Sequence, residues 1–195
     1  MATVYLIAGP SGSGKTSLVD ALLKDEPRLA RAITCTTRRQ RPGEVNGIDY
    51  YFVTHWTFYT LNASGCFVNA DCIFNEFYGV PHASLEGCRH KLLIVSAKGA
   101  LDLARQLPNS VTLFIWPADL RTAEERVKSR YADNERPRLD EFQTIKTYGP
   151  RFDSIIVNDD FTQALAKLRS IIDARLLDDE AALCPSHSSG EPQHV

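Results

Sequence analysis

The sequence has no apolar run approaching the about 20 residues needed to cross a bilayer, so a helical membrane protein is not expected. It has no C-x-x-C pair, and its cysteines are odd in number, five: Cys35, Cys66, Cys72, Cys88 and Cys184. A disulfide framework and a zinc ribbon are therefore not expected; reduced thiols in a cytoplasmic protein are. Neither sign of charge is in large excess. Lys and Arg number 22 against 24 Asp and Glu, a formal net charge of −2, which argues against a dedicated nucleic-acid binder. The opening "MATVYLIAGP" lacks a basic stretch and runs straight into a strand-like segment, so a secretory leader is not expected either. No internal repeat is present. Nothing in the sequence sets an oligomeric state.

What remains is an ordinary mixture: 195 residues, 44% hydrophobic and 24% charged, enough for one domain with a sizeable core. Strand-like and helix-like segments alternate. "TVYLIA" precedes "KTSLVDALLKDE", which puts Leu18, Val19, Leu22 and Leu23 on one helical face. "KLLIVS" precedes "AKGALDLARQL", with Leu101, Ala104 and Leu107 at helical spacing. "VTLFIW" precedes a helix that Asp119 can cap. "SIIVN" precedes a last helix with Phe161, Leu165, Leu168, Ile172 and Leu176 along one stripe. This pattern predicts an α/β fold, a mostly parallel sheet flanked by helices. Residues 33–81, rich in Thr, Tyr, Phe and turn formers, break the rhythm and predict a small β-rich insertion between core segments 1–32 and 82–183. Residues 184–195, "CPSHSSGEPQHV" after the last Leu, read as a flexible tail, with His187 and His194 solvated rather than ligating.

The most specific stretch is "GPSGSGKTS", residues 9–17, which fits G-x-x-x-x-G-K-[S/T] in full. Gly9, Gly12 and Gly14 let the backbone turn successive N–H groups inward, with Ser11 and Ser13 between them. The helix that follows adds its positive end. Lys15 can reach the β- and γ-phosphates of a nucleotide, and the Thr16 hydroxyl can bind Mg²⁺, with Ser17 next to it. Such a loop binds ATP or GTP and leaves the phosphoryl acceptor open.

A second anion site is expected in "ITCTTRRQRPGEVNGIDYYFV", residues 33–53. Arg38, Arg39 and Arg41 crowd beside the hydroxyls of Thr34, Thr36 and Thr37, with Tyr50 and Tyr51 further on. An arginine fork reads phosphate oxygens in pairs. This segment closely resembles the monophosphate-binding segment of guanylate kinases. "FYGVP" (77–81) and "IIVNDD" (155–160) resemble further segments of that family, and "RVKSR" its arginine-bearing lid helix; the resemblance runs from about residue 3 to 178. It implies a P-loop NTPase-type fold with a helical lid at about 126–145. It implies that Arg38, Arg41, Tyr50 and Tyr78 hold the acceptor's phosphate and that Thr34 lies near its base. Arg126, Arg130 and Arg138 would grip the transferring group, and Asn158 would lie near the adenine of ATP.

The resemblance fails where the base should be read. The family places carboxylates there, because guanine's N1–H and N2–H₂ are adjacent donors. This chain has Asn69 and Ser96 at those positions, Ile94 in place of a further acid and Val80 where a hydroxyl is common. Guanine can still be bound, with the Asn69 carbonyl accepting and Asp71 supplying a substitute carboxylate. Alternatively the base is a pyrimidine or a modified deoxynucleotide, since an amide offers donor and acceptor together. Ribose 1,5-bisphosphate is a further acceptor, because kinases for it share the fold and lack these acids, although they lack the R-P-G-E…D-Y segment present here. A non-catalytic guanylate-kinase-like binding module is the reading of another class, and the complete glycine loop speaks against it. The lid segment "YADNERPRLDEF" contains Pro137 and is shorter than the family's. The acceptor oxygen is already anionic, so no catalytic histidine is expected. His55, His82 and His90 are read as structural or surface residues.

Overall fold

In the computed structural model, which describes residues 2–130 and 145–183, all five residues of β1 (Val4–Ala8) are buried. A strand buried on both faces belongs in the middle of a parallel sheet. The sheet runs β2 (Leu29–Arg31), β7 (His90–Ile94), β1, β8 (Ser110–Pro117), β9 (Ser154–Asn158), every pairing parallel. The remaining strands, β3 (Cys35–Thr36), β4 (Tyr51–Phe52), β5 (Phe67–Ile73) and β6 (Glu76–Pro81), form a second sheet in the order β4-β3-β6-β5. All four lie within residues 33–81.

Helices cover both faces of the first sheet. On one side α1 (Lys15–Asp25) and the last helix, α6 (Phe161–Leu183), pack Leu18, Leu22, Leu168 and Ile172 against Ile7, Leu113 and Ile156. On the other side α4 (Ala97–Gln106) presents Ala97, Ala100 and Leu103 to Leu6, Leu93 and Phe114. The stripe expected on α4 is thus turned: Leu101, Ala104 and Leu107 are only partly buried at its margin. Small residues occupy its centre, which lets the helix lie close to the strands. Phe161 also departs from the stripe expected for α6, being 42% exposed at the first residue of that helix.

The second sheet is covered by α2 (His55–Ala63), capped by the Thr54 hydroxyl, which accepts from Thr57 N–H. Its one buried side chain, Phe58, lies 4.8 Å from the Phe67 ring and 5.4 Å from Phe77. Burying a ring of this size contributes roughly 1.5–3 kcal/mol. The β5–β6 hairpin closes through Phe74 and Asn75, both with positive φ, 54° and 63°. That is the backbone a two-residue turn needs to match the strand twist. A four-residue helix, α3 (His82–Leu85), leads back to the first sheet. The β8 strand is followed by α5 (Leu120–Arg130), where the Asp119 carboxylate accepts the N–H of Arg121 and Thr122.

Candidate active site

The glycine loop follows β1, between β7 and β8, at the carboxyl end of the sheet. Strand order reverses there, which opens a crevice in sheets of this kind. Gly9 has φ 143°, and a Cβ on it would run into the carbonyl oxygen of Ile115 on β8. Gly14, the N-cap of α1, has φ 87°, and a Cβ on it would run into the Asn158 amide at the end of β9. That amide donates to the Ser13 carbonyl at 2.8 Å. The loop is thus held between two strands of the core. No side chain caps α1, and its first turn contains no acid, so its positive end is left for an anion. The Lys15 ammonium bridges the loop, donating to the carbonyls of Gly9 at 2.8 Å and Pro10 at 2.7 Å.

At the far end of the same cleft Arg38 is buried, yet it faces a carboxylate. Its Nη2 donates to both oxygens of Glu44, at 2.8 and 3.0 Å, and its Nη1 to the Arg39 carbonyl. The guanidinium also lies 5.3 Å from the Tyr50 ring centre and 5.6 Å from Phe52. The backbone N–H of Arg41 donates to Glu44 at 2.8 Å, so one carboxylate sets both arginines. Burial alone would raise the Glu44 pKa; the hydrogen bond and charge of Arg38, with Arg41, outweigh it and hold the carboxyl below its ordinary value. Burial would likewise lower the Arg38 pKa, and Glu44 reverses that. Burial, then Tyr78, raises the Tyr50 pKa, keeping this phenol a neutral donor. Two arginines against one acid leave the cluster a positive charge for an incoming anion.

Between the two ends the wall is built by β5, β6 and the end of β7. Thr34 is buried, Asn69 is half-buried and Val80 is 2% exposed, so Val80 offers only an apolar surface. The Ser96 hydroxyl accepts from Gly99 N–H at 2.9 Å, capping α4, and donates to Asp71 at 2.7 Å. The whole cleft measures about 810 Å³.

Most residues singled out in the sequence line this cleft: Gly9, Ser11, Gly12, Gly14, Lys15, Thr16 and Ser17 at one end, Arg38, Arg41, Tyr50 and Tyr78 at the other. Thr34, Asn69, Val80, Ser96 and Asn158 line it as well. Ser13 is buried beneath the loop. Asn158 borders the cleft, but its amide is engaged by the loop itself. Arg126 and Arg130 are on α5, and their side chains are not among the described ones; Arg138 lies outside the described residues, as does most of the expected lid. Glu44 lines the cleft with no role assigned from the sequence, and Asp71, read there as a substitute carboxylate, lines it as well. Both sit inside motif segments, but their partners are fixed only in three dimensions.

A parallel sheet with a phosphate-type loop at its switch point, facing the Arg38–Arg41–Tyr50–Tyr78 cluster across one cleft, defines a P-loop phosphotransferase fold. A sequence model of the family described as guanylate kinase matches residues 1–175. A guanylate kinase from Methylococcus capsulatus is 36% identical over 181 residues, 89% of each chain. One from Rickettsia typhi is 35% identical over 176 residues, 87% of this chain and 89% of that protein. The crystal structure of guanylate kinase from Anaplasma phagocytophilum superposes with a TM-score of 0.76 at 25% identity, covering 89% of this chain and 86% of that one. The chain belongs to the guanylate kinase family. Among the described residues no helix is long and apolar enough to cross a membrane, and no group of three or more His, Cys, Asp or Glu forms a metal site.

Proposed function

We propose that the protein is an ATP-dependent nucleoside monophosphate kinase that transfers the γ-phosphoryl group of ATP to the phosphate of GMP or dGMP, giving ADP and GDP or dGDP. One observation carries this: the glycine loop and the Arg38–Arg41–Tyr50–Tyr78 cluster face a single cleft, so two phosphorylated molecules can meet in it.

In this reading the loop N–H groups, Lys15 and the start of α1 hold the β- and γ-phosphates. Arg38, Arg41, Tyr50 and Tyr78 hold the acceptor's phosphate, with Glu44 fixing both arginines. An acceptor oxygen attacks Pγ in line; the new O–P bond forms as the bond from Pγ to the bridging oxygen breaks, and ADP leaves with that electron pair. The attacking oxygen carries no proton, so no general base takes part. Lys15, with Arg126, Arg130 and Arg138 from the lid segment, offsets the charge that spreads over the transferring group. Closure of the 33–81 unit and the lid over the cleft excludes water, the competing acceptor.

The Thr16 hydroxyl, a hard oxygen donor facing the cleft, fits a Mg²⁺ ion that arrives with the nucleotide rather than one held by a protein cage. Such an ion would supply charge neutralisation at the phosphate oxygens. The unpaired thiols of Cys35, Cys66, Cys72 and Cys88 fit action in the reducing cytoplasm.

The test is coupled ADP release with ATP and GMP, dGMP, AMP, UMP, dTMP or ribose 1,5-bisphosphate. Turnover on GMP or dGMP is expected. Silence on both overturns the reading, and an absent ATP-dependent thermal shift would favour a binding module.

A further inference from the structure

Asp71 has no part in the phosphate chemistry above, yet its carboxylate stands in the cleft. Asn69 and Asp71 are two residues apart on β5, so both side chains fall on one face of the strand. Asn69 is registered opposite Val80, and Asp71 opposite Tyr78. The face therefore runs along the wall from the acceptor-phosphate cluster toward the Ser96 end of β7.

The hydrogen bonds fix both the orientation of the carboxylate and its free capacity. Ser96 Oγ already accepts from Gly99 N–H at 2.9 Å, so its single proton goes to Asp71 Oδ2 at 2.7 Å. Oδ1 accepts from Cys72 N–H at 3.0 Å. A carboxylate has about four acceptor positions, so about one is left on each oxygen. Among the described residues no cation forms an ion pair with it. What remains is a pair of acceptors, side by side, with no donor between them.

That pair selects a base edge. Guanine offers N1–H and N2–H₂ as neighbouring donors. Uracil and thymine flank their single N3–H with carbonyls, adenine sets an acceptor beside its amino group, and hypoxanthine lacks the amino group. Against each of these at least one acceptor is left unmatched. We infer that Asp71 reads the acceptor's base and selects guanine, and that Ser96 positions it. The neutral Ser96 hydroxyl beyond β7 aims a charge placed on β5. This rests on the reading of the protein as a kinase for guanine monophosphates.

The experiment measures kcat/KM for GMP and for IMP, and KM for ATP, in the wild-type enzyme and in Asp71→Asn, Ser96→Ala and Ser96→Thr. Wild type is expected to favour GMP over IMP by about tenfold or more. In Asp71→Asn, kcat/KM for GMP falls about 10- to 100-fold, the GMP/IMP ratio drops toward one, and KM for ATP stays within about twofold. Ser96→Ala shifts the ratio the same way by less, and Ser96→Thr, which keeps the hydroxyl, restores it. A merely structural tie between β5 and α4 would lower activity on both substrates together. Turnover on GMP with the GMP/IMP ratio retained in Asp71→Asn overturns the inference and leaves the kinase reading standing. Wild type that uses GMP and IMP equally overturns it without any variant being needed. Wild type silent on GMP and dGMP overturns the kinase reading itself.

Discussion

Glu44 shows how an acid can serve a site built for anions. It touches both Arg38 and Arg41, with Arg38 against the Tyr50 ring, so its charge organises the two cations proposed to hold a phosphate. Its folded pKa is depressed, because the arginines outweigh burial. Its stabilising contribution is therefore full above the unfolded value of about 4.3 and is lost as pH falls through the lower folded value. Glu44→Gln is accordingly expected to have a lower urea midpoint than wild type at pH 7, by an amount that shrinks below about pH 4. A constant difference across that range would remove the charge from the account. KM for GMP should rise in the same variant while KM for ATP holds. At the other end, Lys15→Ala is expected to lower kcat by about 100-fold or more with only a small change in melting temperature. Near-normal turnover in that variant would defeat the proposed mechanism. The sequence displayed Lys15, Arg38 and Arg41 plainly, because each lies in a spaced motif. It could not display Asp71 pairing with Ser96, since that contact joins residues 25 positions apart, one on β5 and the other capping α4.

At the scale of elements, the glycine loop is tightly constrained backbone. Gly9 combines φ 143° with a close approach to the Ile115 carbonyl. Gly9→Ala should cost about 2 kcal/mol or more and weaken ATP binding, read by thermal melting and by the ATP-induced shift. An unchanged melting temperature would mean that the loop yields easily, against the packing described. Helix and strand alternation was legible because four of the five strands of the first sheet are largely apolar runs and α1 has an apolar stripe; the three-residue β2, Leu-Ala-Arg, gave no such signal. The face of α4 was misread: Ala97, Ala100 and Leu103 form its core side, and two of these are alanines that carry little weight in a pattern of large apolar residues. The β5–β6 turn gave no glycine signal, since Phe74 and Asn75 take the positive-φ positions. Phe161 looked like core by spacing, yet it borders the cleft.

For the whole molecule, residues of both sheets line one cleft, and the proposed transfer calls for them to approach and exclude water. A bisubstrate mimic, adenosine and guanosine joined through five phosphates, is expected to reduce the radius of gyration in solution scattering, whereas either mononucleotide should do less. No compaction with the mimic bound would place water exclusion elsewhere. The α/β class and the separate character of residues 33–81 could be read from composition and rhythm. The strand order β2-β7-β1-β8-β9 could not, because it is set by how crossover helices pack, not by any strand's own residues.

The hydrogen bond from Asn158 to the Ser13 carbonyl joins residues 145 positions apart. The loop therefore leaves the ribosome well ahead of the side chain that clasps it. A nascent chain thus carries the nucleotide-binding sequence long before it can hold that sequence in shape. A loop held in its nucleotide-binding shape is accordingly expected only once β9 has joined the edge of the sheet.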